Sequence, residues 1–297
     1  MLSSRQIDAF IAQHRLPDKF RDLIKLHYLP LVSWVLSQRH PGEALFVGIN
    51  GAQGTGKSTL ADFICLALEL GANWRVAVLS IDDFYLTRAE RKQLGQRIHP
   101  LMETRGVPGT HDMQMLANCV EQLKLLESGA SLALQRFDKS RDDRANPDIW
   151  PLINGPIDLI ILEGWCVGSR PQPEDDLAGP INLLEQKQDA SGEWRRYVND
   201  QLEGIYADLF AQLDRLIFLQ APNFDAVFHW RLEQEKKLAA TADNAAGIMN
   251  SEQLAHFIQY YERLTRANLA TLPGTADVVL ALDENHDCVR SCYTTRR

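Results

Sequence analysis

Eight consecutive residues, Gly51-Ala52-Gln53-Gly54-Thr55-Gly56-Lys57-Ser58, constrain this chain more than any other feature. They fit GxxxxGK[ST], and their flanks suit the pattern. Residues 45–50 are an apolar run that reads as a buried strand, and residues 58–70 read as a helix stopping at Gly71. Strand, glycine-rich loop and helix in that order make a phosphate cradle. Glycines let backbone N–H groups approach phosphate oxygens where a Cβ would collide, and the helix turns its positive end to the same charge. Gly51 to Ser58, with Thr59, are therefore expected to hold the phosphates of ATP. Lys57 is expected to reach the β and γ phosphates as a catalytic cation, and the Ser58 hydroxyl to coordinate Mg2+.

Four more apolar runs follow, at 75–81, 157–162, 215–219 and 276–282. They are continuous rather than alternating, as strands are when both faces of a parallel sheet are covered. Between them lie stripes at helical spacing. One is Leu116, Cys119, Val120, Leu123 and Leu126; another is Val198, Leu202, Ile205, Leu209 and Leu213. A third, Leu254, Phe257, Ile258, Tyr261 and Leu264, follows a capping box at Asn250 and Gln253. All three read as core. The alternation predicts one α/β domain of P-loop NTPase type over 1–297. Its sheet is doubly wound, mainly parallel and five-stranded, with helices on both faces. Residues 1–40 read as an N-terminal helical cap that buries Leu23, Ile24, Leu26, Leu29 and Leu31. Residues 168–193, with three prolines and Glu174-Asp175-Asp176, read as a surface excursion, and 222–245 as a lid region.

Composition narrows the function classes. The net charge of -8 speaks against nucleic acid as a partner, because phosphate backbones select basic faces. It leaves room for a small anionic substrate, which needs only a local cluster of Lys and Arg. The five cysteines are scattered without a CxxC pair, which fits free thiols in a reducing compartment better than zinc or disulfides. The first residues lack an apolar leader core and no 18-residue apolar run occurs, so no membrane association and a cytoplasmic location are expected.

In open α/β sheets, ligands bind beyond the carboxyl ends of the strands. Asp82 and Asp83 follow the second apolar run, and Glu163 follows the third. A carboxylate can accept the proton of an attacking hydroxyl, and Mg2+ takes oxygen ligands. One aspartate is thus a candidate base, and Glu163 a candidate for the metal or its bound water. Because a strand points successive side chains to opposite sides, only one of the two aspartates is expected to face the γ-phosphate.

The order of P-loop, Asp82-Asp83-Phe84-Tyr85 and Leu162-Glu163-Gly164 resembles the phosphoribulokinase, uridine kinase and pantothenate kinase superfamily. Further runs resemble plant-type D-glycerate 3-kinases: Ser80 to Thr87, Gly109-Thr110-His111-Asp112, Leu162-Glu163-Gly164-Trp165 and Trp230-Arg231-Leu232-Glu233-Gln234-Glu235. The resemblance spans residues 45–282 or so. It implies an ATP-dependent kinase with Asp82 as base, by the superfamily's Asp-x-Phe spacing, and D-glycerate as acceptor, giving 3-phosphoglycerate. It also implies that Tyr85, Arg105, His111 and Asp112 join Asp82 around the acceptor, and that Arg231 is a catalytic lid cation, with Lys236 and Lys237 beside it. Lys139, Arg141 and Arg144 sit in a mixed-charge loop that closes over substrate on this reading. A nucleoside or pantothenate kinase is an alternative within the class. A nucleotide-hydrolysing switch is one outside it, but a switch would leave Asp82-Asp83-Phe84-Tyr85 without a task. The residues say nothing about oligomeric state.

Overall fold

The computed structural model of the chain describes residues 2–241 and 249–294, with the backbone alone over 236–241. The side chains of Lys236 and Lys237, and residues 242–245 of the expected lid, lie outside the described residues.

The strands are β1 (Leu45–Gly51), β2 (Val76–Ser80), β3 (Ser131–Ala133), β4 (Phe137–Asp138), β5 (Asp143–Arg144), β6 (Leu152–Asn154), β7 (Leu159–Gly164), β8 (Arg215–Gln220), β9 (Val278–Leu282) and β10 (Cys288–Tyr293). The main sheet runs in the order β10-β9-β8-β1-β7-β2, and β3 with β6 and β4 with β5 make two small ribbons. All neighbours in the main sheet are parallel except β10, which returns antiparallel to β9. Among the described residues the sheet thus has six strands, not the expected five. The sixth escaped the apolar-run criterion because an edge strand is covered only in part, and Cys288-Val289-Arg290-Ser291-Cys292-Tyr293 has no fully buried residue.

Neighbouring residues of each central strand serve two cores. Val47, Ile49, Leu159 and Ile161 pack under the N-terminal cap and the helix Lys57–Ala72. Phe46, Leu79, Ile160 and Leu162 pack against the opposite layer, which includes the helix Met113–Lys124. That period-two division explains the continuous apolar runs. In the cap, Ile24 and Leu31 are fully buried, but Leu26 is 63% exposed. It lies two positions from Ile24, on the other side of a helix.

The helix after the P-loop runs through Gly71 and ends where Asn73 takes a left-handed conformation, its N–H bonding the Leu68 carbonyl. Asn is one of the few side chains that tolerates that cap. The capping box at Asn250 and Gln253 forms, and its helix runs Ser251–Thr271. Residues 168–193 hold two short helices, Glu174–Leu177 and Leu183–Gln188, and are anchored through buried charges. Glu185 accepts two hydrogen bonds from Arg263, at 2.7 and 2.6 Å. Asp189 pairs with buried Arg195 at 3.0 Å. Burying such charges is tolerable only because each has its partner.

Candidate active site

The strand register sets the site. Glu163 of β7 stands opposite Ile49 of β1 on one side and Ser80 of β2 on the other. The carboxyl ends of these strands therefore finish together, which brings Glu163, the P-loop and the Asp82 turn to one edge. Within the P-loop, Gly54 and Gly56 take φ of 81° and 89°, a region that side chains with a Cβ avoid. The turn they permit starts the helix at Lys57. Lys57 Nζ donates to the Ala52 carbonyl at 3.1 Å, and Ser58 Oγ donates to Glu163 Oε1 at 3.0 Å.

β2 ends at Ser80, and Ile81–Phe84 form a 3-10 turn. The two aspartates are therefore not separated by strand alternation, as expected, but by about 120° around that turn. Their partners still divide them. Asp82 accepts from Tyr85 Oη at 2.8 Å and from Lys139 Nζ at 2.8 Å. Asp83 accepts the Phe137 backbone N–H at 3.1 Å and lies 3.4 Å from Arg136. Gln135 bonds the Asp83 carbonyl at 2.6 Å, so this residue ties the 135–137 segment to the end of β2.

Charge follows the same division. Burial opposes ionisation of Asp82, but Lys139 and the Tyr85 hydroxyl outweigh it and hold the carboxyl below its ordinary range. Burial pushes Asp83 up despite the Phe137 N–H and Arg136. Burial also raises Glu163, with Lys57 opposing and Asp82 reinforcing. Lys57 is lowered by burial, against the pull of Glu163 and Asp82.

These groups line one cleft of about 560 Å³. The structure brings Gln53, Gly54, Lys57, Ser58, Asp82, Tyr85, Arg105, Glu163 and Arg231 together on its wall. Arg105 forms an ion pair with Asp142 and lies over the Phe137 ring, and Arg231 forms an ion pair with Glu235. Gly51 and Ala52 are buried behind the loop, and Thr59 faces a second cavity with Thr55 and Gly56. Two expected acceptor residues are not on the cleft wall. His111 is buried behind Tyr85, stacked on its ring at 4.6 Å and hydrogen-bonded to Tyr206 Oη at 2.7 Å. Burial lowers its pKa to about 4, against the opposing charge of Asp82. Asp112 caps the helix Met113–Lys124 through the Met115 N–H at 3.0 Å and pairs with Arg144 at 2.7 Å. Thr110, beside them, donates to the Val107 carbonyl at 2.7 Å.

Sequence reasoning missed part of the wall. Lys139, read as part of a loop that closes over substrate, does line the cleft, but nothing in the sequence indicated Asp82 as its partner 57 positions away. Phe257 and Tyr261 were read as core, and both also line the cleft. Helical spacing could not have separated them, because one face of their helix covers both the sheet and the site.

Ser58 and Glu163 place only oxygen donors side by side, a set suited to Mg2+ rather than to a softer metal. The left-handed glycines and the half-buried Lys57 suit phosphate oxygens.

No family model matches the chain. A chloroplastic D-glycerate 3-kinase of Arabidopsis thaliana is 32% identical over 252 residues, which is 80% of this chain. The chain spans about half of that relative's length, 52%. An uncharacterized kinase of Schizosaccharomyces pombe is 33% identical over 257 residues, covering 82% of this chain and 90% of the relative. The chain belongs to this P-loop kinase family. A solved D-glycerate 3-kinase from Cryptococcus neoformans has the same fold as this kinase, with a TM-score of 0.72 and 26% identity over 91% of this chain and 99% of that one. P-loop kinases use ATP, and the P-loop of this one is complete. Among the described residues, no helix is long and apolar enough to cross a membrane.

Proposed function

We propose that this kinase transfers the γ-phosphoryl group of ATP to the 3-hydroxyl of D-glycerate, giving 3-phosphoglycerate and ADP. The observation that carries the acceptor class is the pair of cations, Arg105 and Lys139, on the cleft wall with Asp82. Arg105 already holds a carboxylate, that of Asp142, so its guanidinium is oriented for an acid. A small hydroxy acid matches that wall, and the names of the plant and fungal relatives support D-glycerate among such acids.

In the proposed step, Asp82 takes the proton of the acceptor hydroxyl, whose oxygen attacks the γ-phosphorus as its bond to the β-bridging oxygen breaks. Asp82 suits that task because Lys139 and Tyr85 keep it ionised and oriented. Lys57 offsets negative charge on the transferring group, and Arg231, fixed by Glu235, adds a second cation. Ser58 and Glu163 would hold Mg2+, which when bound neutralises phosphate charge. Tyr85 and Arg105 would position the acceptor, His111 would support Tyr85 from behind, and Asp112 would keep the acceptor loop in place through its cap. With all five cysteines free, we assign the kinase to the cytoplasm. Fractionation that finds it in an oxidising compartment would refute that assignment.

The test is an acceptor panel of hydroxy acids, sugars, nucleosides and pantothenate, scored by acceptor-dependent ADP release. D-glycerate is expected to give the highest kcat/KM. Faster phosphorylation of a nucleoside or of pantothenate than of any hydroxy acid would overturn the acceptor assignment. ADP release that is independent of every acceptor would overturn the transfer reaction itself.

A further inference from the structure

Arg105 lines the cleft, but the group that holds it does not. Its partner Asp142 sits in the turn that joins β4 to β5, outside the cleft wall. That carboxylate is shared. One oxygen, Oδ1, accepts from Arg105 Nη1, and the other, Oδ2, accepts from Arg91 Nη2 at 2.6 Å. A single aspartate thus ties together two arginines that precede it by 37 and 51 positions.

Arg91 is the fixed end of this bridge. It stands on the helix Arg88–Arg97, whose start is set by a capping box at Thr87 and Glu90, and it is 1% exposed. Its guanidinium donates to the Leu86 carbonyl at 2.7 Å, the Glu103 carbonyl at 3.2 Å and the Asp142 carbonyl at 3.3 Å. A charge buried so deeply needs a counter-ion, and the Asp142 carboxylate supplies it. Arg91 and Arg105 both lie over the Phe137 ring, at 5.8 and 5.6 Å. Asp142 itself takes φ of 55°, a left-handed conformation that Asp and Asn tolerate better than most side chains. Two residues on, Arg144 pairs with Asp112 at 2.7 Å, so the strand leaving the turn is pinned as well.

The bridge requires a carboxylate. Two guanidinium groups side by side repel, and an ionised acid between them offers an acceptor oxygen to each, whereas an amide has one acceptor oxygen in all. Arg91 has backbone carbonyls to keep it in place without the acid, but Arg105 faces the cleft. We infer that Asp142 is a positioning residue for the acceptor. Anchored on Arg91, it holds the Arg105 fork by one nitrogen and aims the rest of it into the cleft, at the carboxylate of a hydroxy acid. Asp142 touches no reacting atom. This inference rests on the hydroxy-acid reading proposed above.

Asp142→Asn keeps the size and suits the left-handed turn, but it can accept from one arginine only. With ATP, Mg2+ and the full chain, the KM for D-glycerate should rise about tenfold, while that for ATP stays within about twofold. The loss in kcat should be smaller than the rise in KM, because Lys139 keeps its own contact with Asp82. A double variant, Arg105→Ala with Asp142→Asn, should have the KM for D-glycerate of Arg105→Ala alone to within about twofold, because Asp142 acts through Arg105. Arg91→Lys is the second variant, for use where Asp142→Asn does not fold. It keeps the buried charge but has no fork to span Leu86, Glu103 and Asp142, so it too should raise this KM only where Arg105 is present. A purely structural role would add its loss to that of Arg105→Ala, and such additivity would overturn the inference. So would a lower KM in Asp142→Asn, which would make Asp142 a competitor of the acceptor rather than its support. Failure of the natural chain to phosphorylate D-glycerate would instead reject the acceptor reading, and the inference with it.

Discussion

Ser58, the last residue of the P-loop motif, donates its hydroxyl hydrogen bond to Glu163 at the end of β7, 105 positions later, at 3.0 Å. The contact exists because β1 and β7 are neighbours in register, with Ile49 opposite Glu163. It aligns a hydroxyl and a carboxylate at the N-terminus of the helix Lys57–Ala72, where an anion with its counter-ion is favoured.

That alignment makes Glu163 testable apart from the acceptor. Glu163→Gln keeps the size and the hydrogen bond but removes the charge. The concentration of Mg2+ giving half-maximal rate should rise about 10–100-fold, the usual effect of disturbing a metal's supporting groups. An unchanged Mg2+ dependence would remove Glu163 from the metal site.

Lys57→Ala should leave the fold intact, because the lysine contributes one hydrogen bond, to the Ala52 carbonyl. Turnover should fall by at least about 10²-fold, the scale for removing one preorganised charge-stabilising group. Circular dichroism checks the fold and ADP release checks the rate. Near-normal turnover in a folded variant would reject the phosphate-cradle assignment.

Asp82 and Asp83 should differ in kind. Asp82→Asn should lower kcat by about 10²–10⁴-fold, with the KM for ATP changed only a few-fold. Asp83→Asn weakens the hold on the Phe137 N–H and on Arg136, so its main effect should be a lower melting temperature with a smaller loss in kcat. A larger kcat loss for Asp83→Asn at saturating ATP and Mg2+ would move the base by one residue.

Arg105→Ala should raise the KM for D-glycerate about 10–100-fold, since a hydrogen bond to a charged group contributes about 1.5–3 kcal/mol. The KM for ATP should stay within about twofold, because the change lies outside the P-loop. Equal increases in both constants would mean that Arg105 acts through the cleft as a whole.

His111 gives a pH prediction. Its pKa is about 4 in the folded chain against an ordinary 6.5, so the unfolded chain binds the extra proton between those values. The stability owed to neutral His111 is whole above pH 6.5, declines as pH falls toward about 4, and does not change below that. The full difference is about 3 kcal/mol. Urea midpoints for the natural chain and for His111→Asn should converge across this window as pH falls. Parallel curves would mean that His111 is not held neutral.

Much of this kinase was determined locally, by short stretches of chain. The P-loop, its strand and its helix are contiguous, and their chemistry needs glycines, a lysine and a hydroxyl at set spacings. The apolar runs marked the five parallel strands because both faces of each are covered, and Asn250 with Gln253 marked a helix start. Asp82 and Glu163 were legible because they follow such runs directly.

The tertiary structure alone decided what depends on distant pairs. β10 joins the sheet at an edge, where half-covered residues leave no apolar pattern. Glu185 is buried in a segment that reads as polar surface, because Arg263 comes from 78 positions away to neutralise it, while Asp189 is paired nearer by, with Arg195 of the helix that follows. Lys139 meets Asp82 only once the β4–β5 ribbon folds back over the end of β2, and His111 and Asp112 fall behind the cleft rather than on it. Spacing in sequence reports the direction of a side chain on its own strand or helix. Which charge it finds there is set by the packing of elements that sequence spacing does not relate.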